Sequence, residues 1–230
     1  MKEDKLENFQ NSIGYRFRNT GLLKCALTHS SYSNEMHWKY NRNNERLEFL
    51  GDAVLELISS EYIFEENKSM PEGEMTKLRA SLVCEPSLAV SAREINLSDY
   101  LYLGKGEKHT GGAYRDSILS DAFEAVIGAI YLDGGFTSAK EFILRYVLSD
   151  IENKKLFYDS KTILQEMVQA VGKEVVRYEI LKEEGPDHNK NYVTACYIGE
   201  KKCGMGEGRS KKAAEQKAAY ETILQLRQEN

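Results

Sequence analysis

Residues 117–132 read SILSDAFEAVIGAIYL, and this stretch restricts the fold more than any other in the chain. At about 100° per residue its apolar side chains point in nearly every direction, which predicts a helix surrounded by protein. Its only charges, Asp121 and Glu124, stand about one turn apart. A carboxylate does not enter an interior without a partner, because desolvating an unpaired charge costs far more than the neighbouring alanines return. Two readings meet that requirement. Either an arginine or lysine from elsewhere, such as Arg79 or Arg115, neutralises the pair, or the pair holds a metal cation.

A second set of acids lies upstream in NERLEFLGD (44–52), which runs into the apolar AVLELI. Glu45, Glu48 and Asp52 follow at spacings of three and four, so they stack along one helical stripe. Leu47, Leu50, Val54, Leu57 and Ile58 gather in a broad sector on the other side. An amphipathic helix with a wet acidic face accounts for this stripe taken alone. Taken with residues 117–132, the two helices can bring Glu48, Asp52, Asp121 and Glu124 together around divalent cations. Hard oxygen ligands suit Mg²⁺ or Mn²⁺. Two such ions about 4 Å apart are an established arrangement for phosphodiester hydrolysis, activating water and stabilising the attacking and leaving oxygens.

Residues 1–150 read as helical throughout. LLKCALTH, EMTKLRASLVC, PSLAVSAREI and SAKEFILRYVL repeat apolar residues at helical spacing, and Pro71, Gly73, Gly104, Gly106, Gly111-Gly112 and Gly134-Gly135 punctuate them. The character changes after residue 151. VVRYEI and NYVTACYI alternate, with Val176, Tyr178 and Ile180 on one face and Val193, Ala195 and Tyr197 on one face. KKCGMGEG is a third short strand. A helix, KTILQEMVQAVG, precedes the strands, and KKAAEQKAAYETILQL follows them with Ser210 at its N-cap. A three-stranded sheet with both helices on one face buries these surfaces most economically. The boundaries expected are a helical domain over 1–150, a linker over 151–157 and a small α-β-β-β-α domain over 158–230.

The net charge of -5 does not mark a nucleic-acid binder, but residues 201–217 carry six Lys/Arg against two acids. A polyanion site would therefore be local. Lys211 and Lys212, behind Gly208 and Arg209, add charge to the free N–H groups of a helix start. No GxxxxGK[ST] is present, so this is not a P-loop. The four cysteines form no CxxC or Cys/His ligand pattern, and the N-terminus has no apolar leader. The longest apolar run is too short to span a bilayer. A cytoplasmic setting, no membrane and no organic cofactor are expected.

NERLEFLGD, LLKCALTHSSY, PEGEMTKLRASLV, YLYLGKGE and GGAYRDSILSDAFEAVIGAIYLDGG resemble, in order, the motifs of the bacterial ribonuclease III family. The resemblance implies metal ligands at Glu48, Asp52, Asp121 and Glu124, with Asp52 and Glu124 catalytic. It also gives Glu45 a supporting or dimer-contact role. Phe49, which projects near the acids, matches a ring that plugs a socket on a second subunit of a homodimer. Residues 158–228 resemble the double-stranded RNA-binding domain. There Gln165 and Glu166 would face one minor groove, Pro186 and His188 the next, and Lys211 and Lys212 the phosphates between, with Arg209 also binding RNA. That domain often has a basic residue where Glu215 stands, which implies a weaker phosphate clamp. The implied activity is Mg²⁺-dependent hydrolysis of double-stranded RNA, with Mn²⁺ able to substitute and two ions per site. Products would carry 5′-phosphate and 3′-hydroxyl ends with short 3′ overhangs, and ribosomal RNA precursors and other structured transcripts would be substrates. A non-catalytic RNA-binding dimer is the competing reading. A phosphohydrolase of small nucleotides would leave the second domain without a role.

Overall fold

The computed structural model describes residues 3–38, 42–149, 151, 156–157, 159–172, 174–185, 190–208 and 210–228. The chain divides into two compact units, Met1–Ile151 and Glu152–Asn230.

The first unit is helical, with α1 (Glu3–Ile13), α2 (Thr20–Ala26), α3 (Ser30–Glu35), α4 (Glu45–Glu66), α5 (Glu72–Val83), α6 (Glu85–Glu94), α7 (Lys105–His109) and α8 (Asp116–Tyr146). Its centre is the contact between α4 and α8. Leu119, Phe123, Val126, Ile127 and Ile130 of α8 are fully buried, as are Leu55 and Ile58 of α4. Each such side chain contributes roughly 1.5–3 kcal/mol by leaving water. The helices approach closely because glycine stands at their crossing. A methyl group on Gly128 would fall 2.2 Å from the carbonyl oxygen of Leu47. The expected break at Gly134-Gly135 takes the form of a kink, with Gly135 at φ 77° inside one long helix. Just before it, Asp133 accepts hydrogen bonds from the Arg18 and Asn19 N–H groups and the Tyr15 hydroxyl, at 2.8–2.9 Å. The carboxylate thereby fastens the loop after α1 to the central helix.

The start of α4 is fixed by backbone rather than by a side-chain cap. Asn44 N–H donates to Thr28 O at 2.8 Å, and Asn44 O accepts from Leu47 and Glu48 N–H at 2.9 Å. Glu45 and Glu48 then occupy the first turn, where the helix dipole favours negative charge. Leu57, expected in the apolar sector facing the core, is 59% exposed, and Phe64 is 70% exposed. The core face of α4 is narrower than the sequence pattern implies, because the glycine contact with α8 takes up only one side of it.

In the second unit, β1 (Val176–Glu184), β2 (Asn191–Ile198) and β3 (Lys201–Gly208) form an antiparallel sheet in the order β1-β2-β3. α9 (Ser160–Val171) precedes the sheet and α10 (Lys211–Gln228) follows it. Tyr178 pairs with Cys196, and Val176 with Ile198, and all four join the core with Leu164, Val168, Ala218 and Ile223. The helix-facing set on β2 is thus the one containing Cys196 and Ile198. On the alternate face, the Arg177 guanidinium lies 4.0 Å from the Tyr197 ring centre. Helix α10 rests directly on the glycines of β3: a methyl group on Gly206 would fall 2.2 Å from Ala214 O, and one on Gly204 would fall 2.5 Å from Ala218 O. Alternating glycine on the strand and alanine on the helix bring the two backbones together. Ser210 caps α10 by accepting from Ala213 N–H at 3.1 Å.

Candidate active site

Glu48 on α4 and Asp121 and Glu124 on α8 converge, with one carboxylate oxygen of each lying within 4.8 Å of the others. All three are partly buried. Burial, then Asp121, Glu45 and Asp52, push Glu48 up to about 6. Burial and the charges of Asp52, Asp121, Glu48 and Glu56 push Glu124 up to about 8. Asp121 is also raised by burial, against the opposing influence of the Ser120 hydroxyl and of His29. His29 itself caps α3, its Nδ1 accepting from Ser31 N–H at 3.2 Å.

Asp52 lies one turn beyond Glu48 and is exposed, outside the tight trio. It still acts on the trio as the largest charge raising Glu124. Glu45 is exposed, and Phe49 is 81% exposed. The two arginines weighed as cationic partners for the acids are engaged elsewhere. Arg79 pairs with Glu56 at 2.7 Å and donates to the Ser60 hydroxyl at 2.8 Å. Arg115 pairs with Glu107 at 2.6 Å and donates to Thr110. Among the described residues, no ion pair involves Glu48, Asp52, Asp121 or Glu124.

A cluster of hard oxygen donors with raised proton affinity and no basic partner is a site that can hold a metal ion. Sequence reasoning missed Gly51 and Gly128, whose missing side chains let α4 and α8 meet here. A glycine inside each of two strongly apolar helices was the available signal.

In the second unit, Gln165 and Glu166 are exposed on α9, and Lys211 and Lys212 are exposed at the start of α10. The Lys211 ammonium lies 5.8 Å from the Tyr192 ring centre. Glu215 does not stand among these lysines as a free charge, since it pairs with Lys161 of α9 at 2.6 Å. Pro186, His188 and Arg209 lie outside the described residues.

A helical unit with an acidic cluster, followed by an α-β-β-β-α unit with a lysine-rich helix start, is the arrangement of a metal-dependent nuclease joined to a nucleic-acid-binding module. A Ribonuclease-III-like family model matches residues 19–151, and a double-stranded RNA binding motif matches residues 160–226. The chain is 50% identical over 225 residues to Ribonuclease 3 of Pelotomaculum thermopropionicum, spanning 96% of this chain and 93% of that one. It is 50% identical over 216 residues to Ribonuclease 3 of Oceanobacillus iheyensis, spanning 93% and 95%. Solved structures of the nuclease domain of ribonuclease III from Campylobacter jejuni are similar at 45% and 46% identity, with TM-scores of 0.59 and 0.58. They cover 66% and 63% of this chain and 98% and 96% of theirs; one is described for structural flexibility in a region involved in dimer formation. The chain belongs to the ribonuclease III family, a metal-dependent family of double-stranded-RNA endonucleases. No helix among the described residues is long and apolar enough to cross a membrane.

Proposed function

We propose that Glu48, Asp52, Asp121 and Glu124 hold Mg²⁺, replaceable by Mn²⁺, at two positions per site during cleavage of duplex RNA, with Asp52 and Glu124 catalytic. The single observation that carries this reading is the convergence of three partly buried carboxylates within 4.8 Å, with no cation among their described partners. Bound divalent ions supply Lewis acidity and an activated water at neutral pH. The chain's own part is placement. Glu48, Asp121 and Glu124 form the inner wall, and Asp52 stands exposed outside that trio. Their summed negative charge repels RNA until cations are present. Cleavage would leave 5′-phosphate and 3′-hydroxyl ends with short 3′ overhangs. Ribosomal RNA precursors and other structured transcripts, met in the cytoplasm, are the substrates proposed.

The domain division proposed is 1–150, a linker over 151–157 and 158–230. Gln165 and Glu166, with Pro186 and His188, would lie along the minor grooves, while Lys211 and Lys212 hold the intervening phosphates and Arg209 adds a further RNA contact. Phe49 would insert into a second copy, with Glu45 beside it at the contact. A cleft of about 490 Å³ between α4 and α5, lined by Leu57, Ile63, Phe64, Met75 and Arg79, supports this reading as a place that could receive the ring. In a two-fold dimer the contact is made twice, and Leu57 and Phe64, exposed beside the cleft, are apolar surface such a contact would cover. The dimer-forming region described for the Campylobacter jejuni nuclease domain supports this reading.

The test is incubation of duplex RNA, single-stranded RNA and duplex DNA with the protein, with Mg²⁺ or with EDTA. Cleavage of the RNA duplex alone, in Mg²⁺ alone, with 5′-phosphate ends, is the expected result. Equal cleavage in EDTA would contradict the proposal.

A further inference from the structure

Glu215 stands where a third basic residue would have extended the lysine cluster of α10, yet it is not a gap in that cluster. Its carboxylate meets the Lys161 ammonium at 2.6 Å, and both side chains are largely covered, at 25% and 38% exposure. Lys161 lies over the Tyr178 ring of β1, 4.7 Å from the centre. Next to this pair, the fully buried Ser160 donates to Gln216 O at 2.8 Å, and the Gln216 amide donates to Phe157 O at 3.1 Å. One turn of α10 is therefore fastened twice to the first residues of α9 and once to Phe157 just before that helix.

The fastening lies between the two groups of side chains assigned to RNA. Lys161 is one helical turn from Gln165, on the same face of α9. Glu215 is one turn from Lys211 and Lys212 on α10. A shape-reading domain of this type needs its groove contacts and its phosphate contacts at a fixed separation, because the duplex is a rigid ruler. An ordinary surface ion pair contributes about 0–1 kcal/mol to stability, so its worth here lies in geometry rather than in holding the fold together.

We propose that Lys161 and Glu215 are a positioning pair that sets the spacing between the groove-facing side of α9 and the phosphate-facing start of α10. The inference rests on the RNA-binding face described under Proposed function. Neither residue counts as a phosphate ligand, since the charge of each is spent on the other.

Counting charges and positioning predict opposite signs for one substitution. Glu215→Lys removes a negative charge and adds a positive one next to Lys211, a net change of two units, so charge counting predicts tighter binding and a salt dependence steeper by roughly 0.9 per added contact. Positioning predicts about fivefold to tenfold weaker binding, the scale of coupling between contacting residues, with the salt slope unchanged. The reciprocal Lys161→Glu, Glu215→Lys double variant should then return to within about twofold of the original affinity. The assay is equilibrium binding of the full chain to a duplex longer than the roughly 16 base pairs one such domain spans, in EDTA, across a salt series. Circular dichroism checks the fold. If Glu215→Lys does not fold, Glu215→Gln serves, with weaker binding expected and tighter binding overturning the proposal. Tighter binding by Glu215→Lys, or a reciprocal swap that restores nothing, would also overturn it. Joint Lys211→Ala and Lys212→Ala substitution is the control. Unchanged affinity there would instead remove the RNA-binding face itself.

Discussion

Gly51 of α4 faces Glu124 of α8 with nothing between them: a methyl group on Gly51 would fall 1.8 Å from the Glu124 carbonyl oxygen. This contact fixes the distance between the acids of the two helices, because Glu48 and Asp52 flank Gly51, and Glu124 carries the carbonyl it touches. Alanine at an ordinary exposed helix position gains about 1 kcal/mol over glycine. At Gly51 the sign should reverse. Gly51→Ala, and likewise Gly128→Ala, should destabilise the first unit by about 1–3 kcal/mol through overpacking and reduce cleavage more than RNA binding. Thermal melts and gel shifts on the same preparations check this.

The raised carboxylates predict an unusual pH dependence. Glu48 and Glu124 sit at about 6 and about 8, against an ordinary 4.5. Between pH 4.5 and 8 the native state therefore keeps protons that the unfolded chain has released. With folded values above unfolded ones, the contribution to stability is fully present below pH 4.5 and is lost as pH rises through about 8. In EDTA the first unit should melt at least about 2–4 °C lower at pH 8.5 than at pH 5.5, the shift that about 1 kcal/mol produces in a protein of this size. Mg²⁺ binds the ionised form, so its stabilising effect should be larger at pH 8.5. A Mg²⁺ effect that shrank with rising pH would contradict the site. Glu124→Gln should flatten the EDTA profile.

Phe49 gives a prediction about assembly. An 81% exposed phenylalanine beside a charged cluster gains little in a monomer. Phe49→Ala should shift sedimentation from dimer toward monomer at micromolar concentration, with a loss on the scale of about 2 kcal/mol for a buried aromatic anchor. Sedimentation velocity of both proteins measures it.

Lys211 and Lys212 should act through charge. Replacing both with alanine should weaken duplex binding and lower the slope of log affinity against log salt by roughly 0.9 for each phosphate no longer neutralised, if A-form RNA behaves like the DNA reference. An unchanged slope would remove them from the phosphate contacts.

The acids were legible in the sequence because carboxylates on an otherwise apolar helix stand out. The pattern around Asp121 and Glu124 demands a partner by itself. The distinction between Glu48 and Asp52 was not legible, since a helical wheel treats them alike, and only the crossing with α8 encloses one and leaves the other exposed. Gly51 and Gly128 escaped notice for the same reason: a glycine's role lies in what approaches it. Helix α1 was not picked out by its mostly polar sequence, although Phe9 and Ile13 are buried. In the second unit the strands and the Ser210 cap were readable, but simple alternation was not kept: the register shifts at Ile180/Lys182 and at Ala195/Tyr197, leaving Ile180 37% exposed and Thr194, Ala195 and Cys196 all buried. The Lys161–Glu215 pair was not, because it joins residues far apart in the chain, and Glu215 alone reads as a defect in a basic cluster.

The central claim is that carboxylates from α4 and α8 act together in cleavage. The most direct measurement is the single-turnover rate of duplex RNA cleavage in Mg²⁺ by Glu124→Gln, with binding followed in parallel by gel shift in EDTA. The rate should fall by at least about 10²–10³-fold, the cost of losing one charge-stabilising group, while affinity stays within about twofold. Cleavage at the unsubstituted rate, with binding intact, would contradict the account.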